Sequence, residues 1–254
     1  MDTQSIITDE SQYLMQTYRR ADIVLARGDG VYLFDTDGRR YLDFMSGIAV
    51  AALGHADPDV TAAVAQQAAT LTHVSNLFHT IPQVGLARRL ATHSFADRVF
   101  FTNSGAEAIE GALKFARKWA RGRGPGKHEI VAFSGSFHGR TMGALSVTYK
   151  AAYREPFAPL VPGVCFAPFN DLDAAAAVIS DATCAVLVEP VQGEGGIHVA
   201  TPAFLRGLRA LCDQHGALLI FDEIQCGLGR TGRLWAHEAA GVTPDIMTLA
   251  KPLA

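Results

Sequence analysis

The hydrophobic pattern of the second two-thirds of the chain switches between two periods. Short apolar runs at residues 99–102, 129–133, 184–188, 217–221 and 246–250 have strand length and strand composition. Between them, residues 106–121, 174–180 and 202–215 space their apolar positions as helices do. In the helix predicted at 106–121, Ile109, Ala112, Leu113, Ala116 and either Trp119 or Ala120 fall on one face. Glu110 and Lys114 are spaced as an exposed i,i+4 pair, and Arg117, Lys118 and Arg121 gather toward the negative end of the helix dipole. Strands alternating with helices predict an α/β fold, a mostly parallel central sheet with helices on both faces.

The front of the chain reads differently. Residues 1–20 are polar and predict a helix or arm. Residues 23–44 alternate in short runs broken by Gly28-Asp29-Gly30 and Asp35-Thr36-Asp37-Gly38, which predicts a small antiparallel meander. Residues 47–54 are apolar but glycine-bounded, and read as loop. Asp57 then suits a helix N-cap and Pro58 the first helical position. The expected division is a small N-terminal segment at 1–55 and a large domain at 56–254.

Composition narrows the function classes. The 254 residues are 49% hydrophobic and carry a net charge of −3, so the chain can build a core and offers no basic field for nucleic acid or anionic membrane. The four cysteines, Cys165, Cys184, Cys212 and Cys226, show no CxxC pair and no zinc spacing. That usage suits a reducing cytoplasm. The N-terminus lacks the order of a signal peptide, and no apolar run reaches membrane-spanning length.

Candidate chemistry collects just after the predicted strands. Thr102-Asn103-Ser104-Gly105-Ala106-Glu107 joins a strand to a helix, where small residues and free N–H groups form an anion seat. Ser104 and Glu107 fit a capping box equally well, and the two readings are compatible. In Ser136-Phe137-His138-Gly139-Arg140-Thr141, Phe137 suits either a stacking ring or core, and Arg140 either a carboxylate clamp or a surface ion pair. His138 reads as a hydrogen-bonded structural histidine. The run from Glu189 to Gly196 places Glu189 and Glu194 among glycines at a strand end, facing either a cleft or solvent. Asp222 and Lys251 close two further strands. An acid and a lysine at the carboxyl end of an open sheet suggest a pyridoxal phosphate site, with the lysine as Schiff-base group and the acid on the ring nitrogen. Pro252 predicts an extended backbone at Lys251. The GxGxxG match from Gly227 to Gly232 is separated from its strand and has no acidic residue at the required distance, so it is a weak dinucleotide signal. The glycine-rich stretch at 122–128 lacks Walker spacing, and His237-Glu238 lacks the second histidine of a zinc protease helix.

These residues sit in an ordered set of motifs: YLDFMSGIAVAALGH, FFTNSGAEAIEGALKFAR, FHGRT, PFND, EPVQGEGG, FDEIQCGLGRTG and PDIMTLAK. Together they make the chain resemble the class III aminotransferases, of the fold type I pyridoxal phosphate enzymes, and most of all their acetylornithine branch. The resemblance runs from about Tyr18 to the last residue. It implies pyridoxal 5'-phosphate carried on Lys251, paired with Asp222 at its ring nitrogen and bonded by Gln225 at its ring hydroxyl. Ile224 and Phe137 would cover its two faces, Gly105 and Ala106 would hold its phosphate, and Glu223 belongs to the same cofactor-binding set. Arg140, Glu189 and Glu194 would serve the substrates, with Arg140 on the α-carboxylate. The implied reaction moves the δ-amino group of N2-acetylornithine to 2-oxoglutarate in two half-reactions, in a cytoplasmic homodimer. Ornithine, succinylornithine, 4-aminobutyrate and carrier-linked lysine aminotransferases share the cofactor residues and are the near alternatives. In the family the chain continues well past the lysine, so the resemblance also implies an incomplete C-terminus and, as a further alternative, an inactive truncated relative.

Overall fold

A computed structural model of the chain describes residues 2–253. The chain divides into two compact units, Met1–His79 and Thr80–Ala254, whereas the hydrophobic pattern placed the division after residue 55.

The first unit opens with a helix, Thr3–Tyr13, capped by the Asp2 side chain. Strands β1 (Leu25–Asp29), β2 (Tyr32–Asp35) and β3 (Arg40–Leu42) form the antiparallel meander, in the order β1-β2-β3. Its tight turn is held by Asp35, whose carboxylate accepts from the Tyr41 hydroxyl at 2.7 Å and from the N–H groups of Asp37 and Arg39. Residues 46–49 form a turn in which Ser46, Gly47, Ile48 and Ala49 all take positive φ. The helix Pro58–Thr70 starts where expected, with Asp57 accepting from the N–H groups of Asp59 and Val60. Among the described residues of this unit only Asp35 is buried, so it has no apolar core of its own.

The second unit is a three-layer α/β structure. Strands β4 (Glu129–Phe133), β5 (Val164–Ala167), β6 (Thr183–Val188), β9 (Leu218–Asp222) and β10 (Ile246–Thr248) form one parallel sheet in the order β10-β9-β6-β4-β5. A short antiparallel pair, β7 (Val191–Gln192) and β8 (His198–Val199), lies within the loops after β6. Alternate residues of the sheet point to opposite faces. Val131, Phe133, Val186, Val188, Leu219 and Phe221 pack with Phe204, Leu208 and Cys212 of the helix Pro202–His215. Ile130, Ala132, Ala185, Leu187 and Ile220 pack with Ile109, Ala112, Leu113 and Ala116 of the helix Gly105–Ala120. The helix Pro202–His215 has Pro202 in its first turn, Thr201 as side-chain cap and Gly216 in the left-handed conformation at its end.

Four expectations need correction. Residues 99–102 are not a strand, although their composition suits one, because a strand needs a ladder partner and none lies beside them among the described residues. They instead border a cavity of about 270 Å³ facing Ile246 and Met247 of the sheet edge. The last strand ends at Thr248 rather than residue 250. Lys251 is not extended but has φ of 43° at the start of the short 3₁₀ turn Lys251–Leu253. Glu110 makes no pair with Lys114; its carboxylate accepts from the N–H groups of Gly143 and Ala144, at 2.7 and 3.2 Å, and so caps the helix Met142–Ser146.

Ile220 lies in the middle of β9, one strand in from the sheet edge, and is fully buried. Ile220→Ala should lower stability by about 2–5 kcal/mol, read as a fall in the urea midpoint. An unchanged midpoint would place the stabilising core elsewhere.

Candidate active site

All five parallel strands end on the same side, so the segments that follow β4, β6, β9 and β10 meet there. The centre is Asp222, the last residue of β9, which is buried. His138, carried by the segment after β4, places Nδ1 2.7 Å from Asp222 Oδ2. Thr248, register partner of Asp222 on β10, donates its hydroxyl to Oδ1 at 3.2 Å, and the Ile224 N–H donates to Oδ1 at 3.0 Å. A carboxylate has about four acceptor positions. The three bonds leave one on Oδ2 for a further N–H.

His138 is fully enclosed, and its Nε2 has no partner. Burial works against its charged form, but the bond to Asp222 and the charges of Asp222 and Glu189 outweigh it and raise its pKa. Glu189, just past β6, is buried and accepts from the Phe137 N–H at 3.1 Å and from Gly193 N–H. Burial pushes its carboxyl up to about 7, with Asp222 adding to the rise and His138 opposing it. Lys251 is half-buried. Desolvation lowers its pKa despite the opposing charges of Glu194, Asp222 and Glu189.

The helix start supplies the anion seat. Ser104 caps the helix Gly105–Ala120 by accepting from Glu107 N–H, but the return bond of the expected capping box goes one residue further back, from Asn103 N–H to the Glu107 carboxylate. The N–H groups of Gly105 and Ala106 keep no chain partner among the described residues. The backbone packs closely here. A Cβ built on Gly105 would lie 3.0 Å from Ile224 and 3.3 Å from the Ala250 Cβ, and one on Gly139 would lie 2.8 Å from the Ala106 Cβ. So Gly105, Ala106, Gly139, Ile224 and the residue before Lys251 are neighbours.

Phe137 and Arg140 flank this centre. The Arg140 guanidinium stands 4.0 Å from the Tyr153 ring and 5.8 Å from the Phe137 ring. Gln225 lies against Gly193 of the loop after β6. Glu223 is turned away. Its fully buried carboxylate accepts from the N–H groups of Ala236 and His237 and sits 2.8 Å from His237 Nδ1, so it ties the segment after β9 to the following turn instead of facing the cleft. Sequence reasoning missed Thr248 and Tyr153. Thr248 could be found from strand register alone, since it pairs with Asp222; nothing in the sequence singles out Tyr153.

A pyridine ring bearing a phosphate and a carbonyl fits these residues. An acid with one open acceptor position, two free N–H groups at a helix start and a lysine of lowered pKa are the donor set such a group requires.

Residues 13–254 match the family model described as aminotransferase class-III. The chain is 56% identical to the mitochondrial acetylornithine aminotransferase of Alnus glutinosa, over 99% of its own length and 57% of that protein's. The N-acetylornithine aminotransferase of Stenotrophomonas maltophilia K279a superposes with a TM-score of 0.80 at 43% identity, over 96% of this chain and 61% of that one. An ornithine aminotransferase from Toxoplasma gondii, described with partial occupancy of PLP at its active site, gives 0.93 at 35% identity, over 98% and 59%. The chain thus spans about three-fifths of the length of the relatives it matches.

The raised pKa of Glu189 has a sign that can be checked. Because its folded value of about 7 lies above the ordinary 4.5, it contributes stability that is fully present below pH 4.5 and lost as pH rises through 7. Glu189→Gln should flatten that decline and stabilise the protein by about 1–3 kcal/mol near pH 8, measured by urea unfolding across the range. Parallel profiles for the two proteins would reject the assignment.

Proposed function

The chain belongs to the class III aminotransferases, and from that premise we propose that the protein transfers the δ-amino group of N2-acetylornithine to 2-oxoglutarate, using pyridoxal 5'-phosphate and giving N-acetylglutamate 5-semialdehyde and glutamate, a step of arginine biosynthesis. The observation that carries the reading is the convergence of Asp222, the Gly105–Ala106 N–H groups and Lys251 at one end of the sheet. The choice of donor rests on identity to acetylornithine aminotransferases.

When bound, the cofactor supplies a carbonyl carbon to accept the amine and a protonated ring to delocalise charge. The chain's own residues do the rest. Asp222 holds a proton at the ring nitrogen, and His138 and Thr248 hold Asp222 in place. Gly105 and Ala106 would hold the phosphate through their N–H groups. Phe137 and Ile224 would cover the ring faces, and Gln225 would bond the ring hydroxyl. Lys251, with its pKa lowered by desolvation, would take the proton from the substrate carbon that bears the amine. Arg140 holds the substrate α-carboxylate in a bidentate bond, with Tyr153 supporting its guanidinium. Glu189 lines the pocket and Glu194 serves the 2-oxoglutarate half-reaction. The reading includes a cytoplasmic homodimer that engages neither nucleic acid nor membrane. The charge of −3 supports those exclusions, and among the described residues no helix is long and apolar enough to cross a membrane.

Borohydride reduction of the protein with pyridoxal phosphate, followed by peptide mass analysis, should place the label on Lys251, and Lys251→Ala should lower turnover by about 10²–10⁴-fold. No label, or a label elsewhere, would reject the site. In a coupled glutamate assay N2-acetylornithine should be the better donor. Equal or faster turnover of unacetylated ornithine would reject the substrate.

A further inference from the structure

The loop after β6 carries three glycines, and they are there for different reasons. Gly196 has φ of 120°, a conformation that disfavours any side chain. Gly195 faces backbone: a Cβ built on it would lie 2.4 Å from the Gly135 carbonyl oxygen. Gly193 shows neither constraint. Its φ lies outside the left-handed region, and the three atoms nearest to a built Cβ all belong to one side chain. They are Gln225 Oε1 at 1.2 Å, Cδ at 2.3 Å and Nε2 at 3.1 Å.

We propose that Gly193 is a positioning residue for the cofactor site: the space left by its missing side chain is where the Gln225 amide lies, and this sets the reach of Gln225 toward the cofactor ring. The inference rests on the function proposed above, which gives Gln225 the ring hydroxyl as its partner.

The loop cannot step back to make room. Gly193 N–H donates to the buried Glu189 carboxylate, which also takes the Phe137 N–H at 3.1 Å. The Gly193 carbonyl accepts from the N–H of Gly196 at 3.1 Å and of Ile197 at 3.4 Å. Gln192, one residue before, is buried and donates to the Ser134 carbonyl at 2.9 Å. With Gly193 held on both sides, a methyl group there meets the amide, and the amide is the part free to move. Gln225 ends in a flexible side chain that can rotate away at little cost to the fold. An alanine at 193 is therefore tolerated by the backbone and costs the position of Gln225. Glu189 in this way connects the two loops, since one carboxylate holds both the Phe137 backbone and the residue that seats Gln225.

A double-mutant cycle tests this. The wild type, Gly193→Ala, Gln225→Ala and the double variant are titrated with pyridoxal phosphate, following the bound-cofactor absorbance band, with circular dichroism to report folding. Gly193→Ala should weaken binding by about 5–10-fold, the worth of one hydrogen bond, and shift the band in the same direction as Gln225→Ala. The double variant should bind within about twofold of Gln225→Ala alone, because residues that act through one another are not additive. Wild-type binding by Gly193→Ala, or losses that multiply in the double variant, would overturn the proposal. So would a Gly193→Ala chain that fails to fold both alone and with Gln225→Ala, since the methyl would then be meeting backbone. A wild type that takes up no cofactor would overturn the proposed function and this inference together, whereas normal wild-type uptake with an unperturbed Gly193→Ala overturns the inference alone.

Discussion

The Asp222 carboxylate is the constraint on which the site depends. A charged carboxylate out of water is costly unless its lone pairs are satisfied. Its donors come from three places: His138 after β4, Thr248 at the end of β10 and the N–H of Ile224 on its own chain. Thr248 reaches it because β10 pairs with β9 in a register that sets Thr248 beside Asp222. His138 must reach it across β6, which separates β4 from β9. The strand order therefore has a chemical reason as well as a packing one. The helix layers on both faces make the sheet interior dry, and that dryness makes three donors necessary.

Around this acid the loops approach one another at positions without side chains. Gly105 lies against Ile224 and Ala250, Gly139 against Ala106, Gly193 against Gln225, and Gly195 against the Gly135 carbonyl. Five segments that are far apart in sequence thus share a volume that ordinary side chains would fill. From behind, Glu223 and His237 hold the same segment that presents Asp222, Ile224 and Gln225. The buried Glu223 acts on the cleft only through the backbone it anchors. That accounts for a carboxylate next to the central acid that still faces away from the cleft.

How much of this was legible in the sequence depends on whether a feature is local. The helices at 58–70 and 202–215 were, the first because Asp57-Pro58 is a signal read within one turn and the second because its apolar positions recur at helical spacing. Strands β4, β6 and β9 were too, because buried parallel strands are continuous apolar runs. Residues 99–102 show the limit: Val-Phe-Phe-Thr has strand composition, but pairing is a property of neighbours that composition does not carry. The four residues of β5, at the sheet edge and bounded by Gly163 and Pro168, were too short to register. Lys251 misled for a related reason. Pro252 restricts the residue before it, but the turn that follows β10 sets its conformation. The candidate site residues stand out in the sequence as polar groups after strands, and the resemblance supplied the roles proposed for them. Glu223 was grouped with its neighbours by adjacency, and only the hydrogen bonds to Ala236 and His237 separate it from them.

The charges in the cleft leave one competition to resolve. Lys251 lies in the field of Glu194, Asp222 and Glu189, all of which favour its charged form, yet its pKa is lowered, so desolvation wins. Glu189 helps decide this. With its carboxyl pushed up to about 7 it is only partly ionised at neutral pH, so its pull on the lysine is less than that of a full charge. The burial that raises Glu189 also raises the cost of charging Lys251, and both effects favour a neutral amine. Asp222 beside them is met by three groups, His138, Thr248 and the Ile224 N–H. One dry pocket therefore holds a half-protonated acid and an amine of lowered pKa, both shifted chiefly by burial. Since His138 and Glu189 feel Asp222 and each other, they titrate as a cluster rather than singly. In the proposed reaction a neutral Lys251 is the form able to accept a proton, and the acceptor position left open on Asp222 Oδ2 is where the ring N–H would be held.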